Sequence, residues 1–499
     1  MRNTFHLKTL AVAIATISVA SLSNAAGLDR SGQDVTAFFQ DGTYAEAVYT
    51  YIDADVSGYD SANNVPSSNT YVKGGETGDI AESYDFFRYG VKADINDTFS
   101  VGILYDEPFG AAAEYTGDSN FVSKGDINAS ITQLTGGRVN ATTIGPAIQG
   151  LTEAAQAAGV EAQRLGQLAA TATDPQIARD FAQQARAQAE AAQGFVKDAT
   201  SLGTAGAIAR AEAANAGENT NVEVRSNSIT AILGAKFGAN KEFQVYGGPV
   251  AQRIESEVRL RGLAYGPATG YTSRNSPDTD YGYIAGIAYS KPEIALKAAL
   301  TYRSEIDHNM KIAETYPLAG VLAGDPAAAN QSNNMEITTP KSVNFDFQTG
   351  INPTTLATAK VRWVPWGDFK ITPPLYNAVS KNNELYEENG LNLVEYDDDQ
   401  WQVEVGVAKR LAPALAVSGT VGWDSGAGDP TTSLGPIEGY YSVGLGAKYN
   451  VTENWAVSAG GKYLWFGDAK GQLPTDKIVG DFQDNDGYIL GVKLSYQDY

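Results

Sequence analysis

The stretch NWAVSAGGKYLWF, Asn454 to Phe466, places Trp455, Val457, Ala459, Gly461, Tyr463 and Trp465 on one side of an extended chain. Ser458, Gly460 and Lys462 fall on the other. A period of two is the signature of a strand. Its apolar side is bounded by aromatics at both ends, which is the girdle pattern of a strand facing lipid. A soluble sandwich also alternates, but nothing requires aromatics at both limits of its apolar face. The pattern recurs with Trp401, Val403, Val405 and Val407, and again with Leu415, Val417, Val421 and Trp423.

Counting outward from that stretch gives candidate strands at 45–56, 84–95, 98–107, 226–237, 241–261, 280–290, 293–307, 341–350, 355–364, 399–410, 414–424, 440–449, 454–466 and 487–496. Their number, fourteen, is even. Even-numbered strands lead into short turns near Asp97, Pro413 and Thr452, and odd-numbered strands into long acidic or Gly/Pro/Asn-rich connections. Long and short connections therefore fall on opposite rims, as in outer-membrane barrels with short periplasmic turns and long outer loops. The expected fold is all-β: a 14-stranded antiparallel transmembrane β-barrel over 44–499, preceded by a short segment at 26–43 and carrying a helical extracellular insertion at 140–216.

Composition agrees. Residues 1–25 read as a signal peptide: basic Arg2 and Lys8, an apolar core from Leu10 to Ala20, and small residues at Ser23, Asn24 and Ala25. Beyond Ala26 there is no apolar run long enough for a spanning helix, which leaves a spanning barrel open. The 499 residues carry a formal net charge of -22 and no cysteine, so recruitment of nucleic acid is disfavoured and no disulfide staples the fold. With 52 glycines and 27 tyrosines in 499 residues, the chain suits many turns and half-polar strands.

The longest connection, roughly 108–225, holds Leu151, Ala155, Ala158, Ala162, Leu165 and Ala169 at helical spacing. A second helix is expected from Asp174 and Pro175, carrying Ile177, Phe181, Ala192, Phe195 and Ala199. The two stripes suit an external helical hairpin.

One candidate strand is interrupted. In SVGILYDEPFGAAAEY, Ser100 to Tyr115, alternation runs to Asp106 and breaks at Glu107, Pro108, Phe109 and Gly110. Proline cannot donate to a ladder, so it belongs at an edge, an end or a bulge.

Several stretches resemble the FadL/TodX long-chain fatty acid and hydrocarbon transporters of Gram-negative outer membranes. EAVYTYIDADVSG, Glu46 to Gly58, is similar to that family's first strand, YRSEI, Tyr302 to Ile306, to a motif late in its barrel, PFGAAAEY, Pro108 to Tyr115, to its pattern after strand three, and AGLDRSGQ, from Ala26, to the start of some mature chains. The resemblance implies a plugged barrel in the outer membrane, in contact with lipid and lipopolysaccharide and inserted by the barrel assembly machinery. It implies passive transport of long-chain fatty acids or related hydrophobic molecules by a monomer, with release sideways through a gap at a strand-three kink, Asp106 to Gly110. A nonspecific diffusion porin and a surface adhesin using the helical loop are the alternatives. Only eighteen residues, Ala26 to Thr43, precede strand one, and the Asn-Pro-Ala motif of the family's longer plug is absent.

Candidate ligand contacts are Arg30, able to receive a carboxylate, with Phe38 and Phe39. To these are added Pro317, Leu318, Val321 and Leu322 in an apolar loop after strand seven, and Arg303 on the inner face of that strand with Glu305. Arg88, Lys92 and Asp94 are read as inward-facing on strand two. No enzyme is expected: outside the leader His308 is the single histidine, and Ser304, four residues away along a strand, would lie about 13 Å from it. DFQDNDG, Asp481 to Gly487, departs from EF-hand spacing, so no metal and no cofactor are expected. Either Tyr496 or Tyr499 supplies the terminal aromatic.

Overall fold

The computed structural model describes residues 28–498; the expected leader, residues 26 and 27 of the plug, and Tyr499 lie outside the described residues. Fourteen antiparallel staves close on themselves. Strand one, Thr43–Asp55, pairs with strand fourteen, Asp486–Asp498, along its whole length, and on its other edge with strand two, Tyr84–Asp94. Strand three is Phe99–Asp106 continued by Gly110–Glu114, followed by strand four, Asn221–Phe237, strand five, Phe243–Arg259, and strand six, Thr272–Lys291. Strands seven and eight are also each in two pieces, Leu296–Arg303 with Ile306–Thr315, and Asn330–Thr339 with Ser342–Asn352. Strands nine to thirteen are Thr355–Val364, Gln400–Ala412, Leu415–Asp424, Glu438–Asn450 and Trp455–Gly467.

Closure removes sheet edges, which is what lets a β-structure stand in hydrocarbon. The outward residues are the apolar ones read from alternation: Trp455, Val457, Tyr463 and Trp465 on strand thirteen, and Tyr488, Leu490, Val492 and Leu494 on strand fourteen, are exposed. Their neighbours Ser458, Lys462, Lys493 and Ser495 turn inward and are buried. Trp455 and Tyr496 stack on the outside of the lower rim, ring centroids 5.1 Å apart. No helix among the described residues is long and apolar enough to cross a membrane.

Strands four, six, seven and eight are longer than hydropathy suggested. Their outer ends carry ion pairs such as Arg225 with Glu223 at 2.6 Å and Arg274 with Glu257 at 2.7 Å. The ladder continues there above the bilayer while the apolar signal stops at its edge. Glu305 is corrected: the chain slips by one residue between the two pieces of strand seven, so Arg303 is buried inside while Glu305 faces outward against Lys341 at 3.6 Å.

Above the barrel mouth a second sheet of five short strands, Thr431–Thr432, Ala469–Gln472, Ile478–Phe482, Gly58–Ser61 and Lys73–Glu76, forms a cap. Beside it stand helix Ile127–Leu134 and the hairpin of Ile144–Thr171 and Pro175–Ala214. The Asp174 carboxylate accepts from the amides of Gln176 and Ile177 and caps the second long helix. Ala155, Ala158 and Leu165 are buried in the hairpin seam, with Phe181 and Phe195 half-buried against them. Ile177 is exposed, because Ala178 takes the inward place at the tip.

Val492 lies midway between Tyr488 and Tyr496 on the lipid face of strand fourteen. Val492→Arg is expected to destabilise the barrel by about 2–4 kcal/mol in urea titrations in lipid vesicles. Unchanged stability would mean that this face does not meet hydrocarbon.

Candidate functional site

The lumen is divided into three levels by the N-terminal segment, which runs inside it from Leu28 to strand one. Asp29, Arg30, Ser31 and Gln33 are buried, and Gly32 and Gln33 take left-handed backbone angles, φ 62° and 52°, so the chain turns within the wall. Three staves hold this turn. Arg362 of strand nine pairs with Asp29 and also donates to the Gly32 carbonyl at 3.3 Å. Asn344 of strand eight donates to that same carbonyl at 2.8 Å. Asp34 sits between Lys360 at 3.1 Å and Arg88 of strand two at 3.5 Å. Burial opposes charge on Asp34, but Lys360 and Arg88 outweigh it and hold its carboxyl below the ordinary range.

Phe38 and Phe39 anchor the lower end of the plug. Phe38 lies against strand three at Gly102 and strand four at Gly234, where an added Cβ would stand 2.8 Å from its ring at each position. Tyr246 packs on both rings at 5.8 and 5.2 Å. The glycines are notches that receive the plug. Below it, open toward the short-turn rim, is a cavity of about 560 Å³ bordered by Phe38, Phe39, Lys92, Asp94, Lys297 and Glu404. The Lys297 ammonium donates to the Phe39 carbonyl at 2.6 Å.

Above the plug the lumen is apolar. A narrow cavity of about 70 Å³ is lined by Leu28, Ala111, Val224, Ile312, Met335 and Leu434, among others. An apolar cavity needs roughly 150 Å³ to hold benzene, so a hydrophobic guest here has to displace side chains of the cap. The connection between strands nine and ten adds to this lining with Ile371, Leu393 and Tyr396. Trp366 is fully buried in it, meets Phe109 edge-on at 5.8 Å, and donates from its indole N–H to Gln400 at 2.9 Å.

Strand three passes from the lower level to the upper one through an interruption. Its register to strand four changes between Asp106↔Ser228 and Gly110↔Arg225, so three residues, Glu107, Pro108 and Phe109, oppose two. This is a β-bulge, and it turns Phe109 to the inside. Pairing with strand two ends at Tyr89↔Tyr105. Above that point strand two, from Tyr84 to Arg88, pairs with strand one alone, while Gly110–Glu114 pairs with strand four and, on its other edge, with the segment before strand two: the Glu82 amide donates to the Ala112 carbonyl at 3.2 Å and the Glu114 amide to the Ile80 carbonyl at 2.9 Å.

The seam is covered from within by the plug. The Arg30 amide donates to the Pro108 carbonyl and the Gly110 amide to the Leu28 carbonyl, each at 2.7 Å. The Arg30 guanidinium lies 3.3 Å from the centre of the Tyr84 ring on strand two. On its other side is Gly110, where a Cβ would stand 2.6 Å from the guanidinium carbon. Arg30 thus fills the space between the two strands, its charge held by a ring face. Neither of its terminal nitrogens has a hydrogen-bond partner among the described residues. Tyr84 donates to Glu107 at 2.8 Å, and Asp106 accepts from Ser31 at 2.9 Å and from Ser228.

The candidate residues are therefore distributed over the three levels. Arg30 and Asp106 to Gly110 meet at the seam. Arg303 faces the lumen from strand seven and donates to Thr230 at 3.1 Å. Pro317 and Leu318 begin a short helix, Pro317–Ala323, with Leu318 packed on the cap core and Val321 and Leu322 exposed. Ser304 accepts from the Tyr283 amide, whereas the His308 ring faces Gln252 and Asp278, so the two make no catalytic pair. Among the described residues no cluster of three or more His, Asp or Glu is arranged to hold a metal. Trp366 and Ala111 to Ala113 were not foreseen. Trp366 lies in the loop VPWGDF, and only its aromatic-proline composition sets it apart.

A closed barrel with aromatic girdles and a barred lumen defines an outer-membrane channel. The family model described as outer membrane protein transport protein (OMPP1/FadL/TodX) matches residues 196–497, and the chain belongs to that family. Its channels carry hydrophobic compounds across the outer membrane. Among solved structures the chain is similar to a Pseudomonas aeruginosa FadL homologue, at 12% identity and a TM-score of 0.55, covering 92% of this chain and 91% of that one. It is also similar to the Pseudomonas putida toluene transporter TodX, at 9% identity and a TM-score of 0.48, covering 96% of this chain and 100% of that one. No curated protein matches the sequence.

Arg362→Met removes the partner of buried Asp29, a loss of about 3–5 kcal/mol for a buried pair. The barrel is expected to fold, and its ion conductance in planar bilayers to rise as the plug loosens. Conductance equal to that of the unaltered protein would show that the pair does not hold the plug.

Proposed function

We propose that this protein passively transports long-chain fatty acids or related hydrophobic molecules. Cargo is captured by the outer cap and released into the bilayer between strands two and three. The observation that carries this reading is the position of the apolar level. It lies above a plug tied to the barrel wall by ion pairs, and its lining includes Ala111 to Ala113, which have no ladder partner on strand two. An apolar guest has a charged segment beneath it and, beside it, a seam closed by the plug and by the short segment Ile80 to Glu82 in place of strand two.

Irregular backbone at membrane depth is tolerated where protein covers it or where it lines a cavity, and this interruption does both. Opening it requires the Arg30 guanidinium to leave the Tyr84 ring. A cargo carboxylate offers its unpartnered nitrogens two acceptors, a charge-assisted pairing stronger than a ring face. Pro317, Leu318, Val321 and Leu322 stand at the rim of the cap, and the exposed pair supplies an apolar contact for arriving molecules. A diffusion porin is disfavoured by the buried plug.

The decisive measurement is uptake of labelled oleate and of toluene by cells in which this is the one such barrel. Uptake of at least one is expected. Ala111→Trp, which fills the narrow cavity, is expected to abolish it while the barrel still folds. A disulfide between Phe87→Cys and Glu107→Cys, positions that would face each other had the ladder continued, is expected to block uptake until reduced. No uptake of either compound, or uptake indifferent to both changes, would remove this reading; a large ohmic conductance would favour the porin.

A further inference from the structure

The wall lapses in a second place, between strands six and seven. These strands pair from Leu296↔Lys291 to Arg303↔Ile284, and again from Ile312↔Asn275 to Thr315↔Thr272. One further backbone bond, from the Ser304 amide to the Tyr283 carbonyl at 3.0 Å, extends the lower ladder; residues 276–282 and 305–311 beyond it have no ladder partner across the seam.

The cause is a mismatch of pleats. Strand seven buries Ala299, Thr301 and Arg303 below the lapse but Ile306, His308 and Met310 within it, a slip of one residue at Ser304 and Glu305. Strand six buries Ser273 and Asn275 above the lapse, but within it Thr279, Tyr281 and Tyr283 face outward, a slip at Ser276 and Pro277. The two slips lie at opposite ends. Between them, residues that the flanking register would pair point to opposite sides of the wall, so the ladder cannot run through.

Side chains close the seam instead. At its lower end the Tyr283 amide donates to the Ser304 hydroxyl at 3.0 Å. At its upper end the Ser276 hydroxyl accepts from the Lys311 amide at 3.3 Å and donates to the Lys311 carbonyl at 3.2 Å. In the middle stands His308, fully buried, with Nδ1 3.4 Å from an Asp278 oxygen across the seam and Nε2 3.1 Å from the Gln252 side-chain oxygen of strand five. Thr339 of strand eight lies 2.7 Å from that same Gln252 oxygen and 3.4 Å from the Ile306 carbonyl, within reach of donating to either.

Both ring nitrogens therefore face oxygen acceptors. A neutral imidazole has one N–H and leaves one contact repulsive; the imidazolium attracts both oxygens, by a hydrogen bond to Gln252 and by an ion-pair contact outside hydrogen-bond geometry to Asp278. Burial opposes the added proton, and the charges of Asp278 and Asp280 on strand six and Asp307 on its own strand work against that cost. Gln252 and Thr339 are neutral, and Arg303, five residues below, is engaged with Thr230. Exposed Tyr281 and Tyr283 place the seam at the outer aromatic girdle, level with lipid headgroups.

We propose that strands six and seven form a second lateral opening in the barrel wall, held shut by the His308–Asp278 contact and tightened when His308 takes up a proton. Acid closes it and loss of the proton loosens it. The proposal stands apart from the exit between strands two and three, because it concerns other strands and no plug residue.

The test places spin labels on Tyr281→Cys and Asn309→Cys, both outward-facing, in the full-length protein in liposomes; the chain has no cysteine to compete. A control pair at Ile287→Cys and Leu300→Cys labels two ladder partners. Dipolar broadening is expected for both pairs at about pH 5, and at about pH 8 it should fall for the seam pair alone. His308→Gln should abolish that pH dependence. Broadening that matches the control at both pH values overturns the opening, and a pH response that survives in His308→Gln overturns the histidine's role. Should that variant fail to fold, Asp278→Asn keeps the imidazole and removes the facing charge. A response unchanged in Asp278→Asn overturns the proposal equally.

Discussion

In hydrocarbon a backbone amide or carbonyl finds no water, so every such group must be paired within the protein. The rest of this structure depends on that constraint. It makes the sheet close through strands one and fourteen, and it makes the glycines of strands three and four useful, since a flat inner wall admits the Phe38 ring without breaking the ladder. It also gives meaning to the few places where pairing stops. At the strand-two seam the missing partner is replaced by the plug's own backbone; at the strand-six seam it is replaced by serine hydroxyls and a histidine ring.

The plug shows how a short segment bars a wide lumen. It has too few residues to fill the barrel with apolar bulk, and it spans the bore by charge instead. Asp29 and Asp34 reach cations on strands two and nine, so the segment is suspended across the lumen rather than packed on one side. Buried pairs are weak contributors to net stability but costly to break singly. That combination suits a barrier which must keep one position without adding rigidity to the wall. The apolar contacts of Phe38 and Phe39 then anchor the lower end, and Leu28 forms part of the floor of the upper cavity.

Much of the architecture was readable because a lipid-facing strand must alternate. Trp455 to Trp465 marks both girdles in one stretch, and the sorting of long and short connections orients the barrel. What alternation cannot report is structure beyond the bilayer. The outer ends of strands four, six, seven and eight turn polar side chains outward and carry no lipid-facing apolar stripe, and the ladder shows that they continue. Glu305 was misplaced for a related reason: residues two apart share a face only while the pleat is unbroken, and a slip at Ser304 leaves no mark in composition. Pro108 did announce a break in strand three. That Arg30, some eighty residues earlier, lies in it depends on the path of the plug, which no local pattern encodes. Trp366 was illegible too, since an aromatic in a loop acquires its place from the other loops that fold over it.

The helical hairpin reaches well beyond the cap. Its second helix is buried between Leu202 and Glu212, and from Leu202 back to the turn at Asp174 it rises about 42 Å at the usual helical pitch. A slender mast of that height, standing on one side of the mouth, obstructs nothing the size of a fatty acid. Its outer part therefore leans on nothing but its own partner helix, so its straightness depends on the alanine seam between the two.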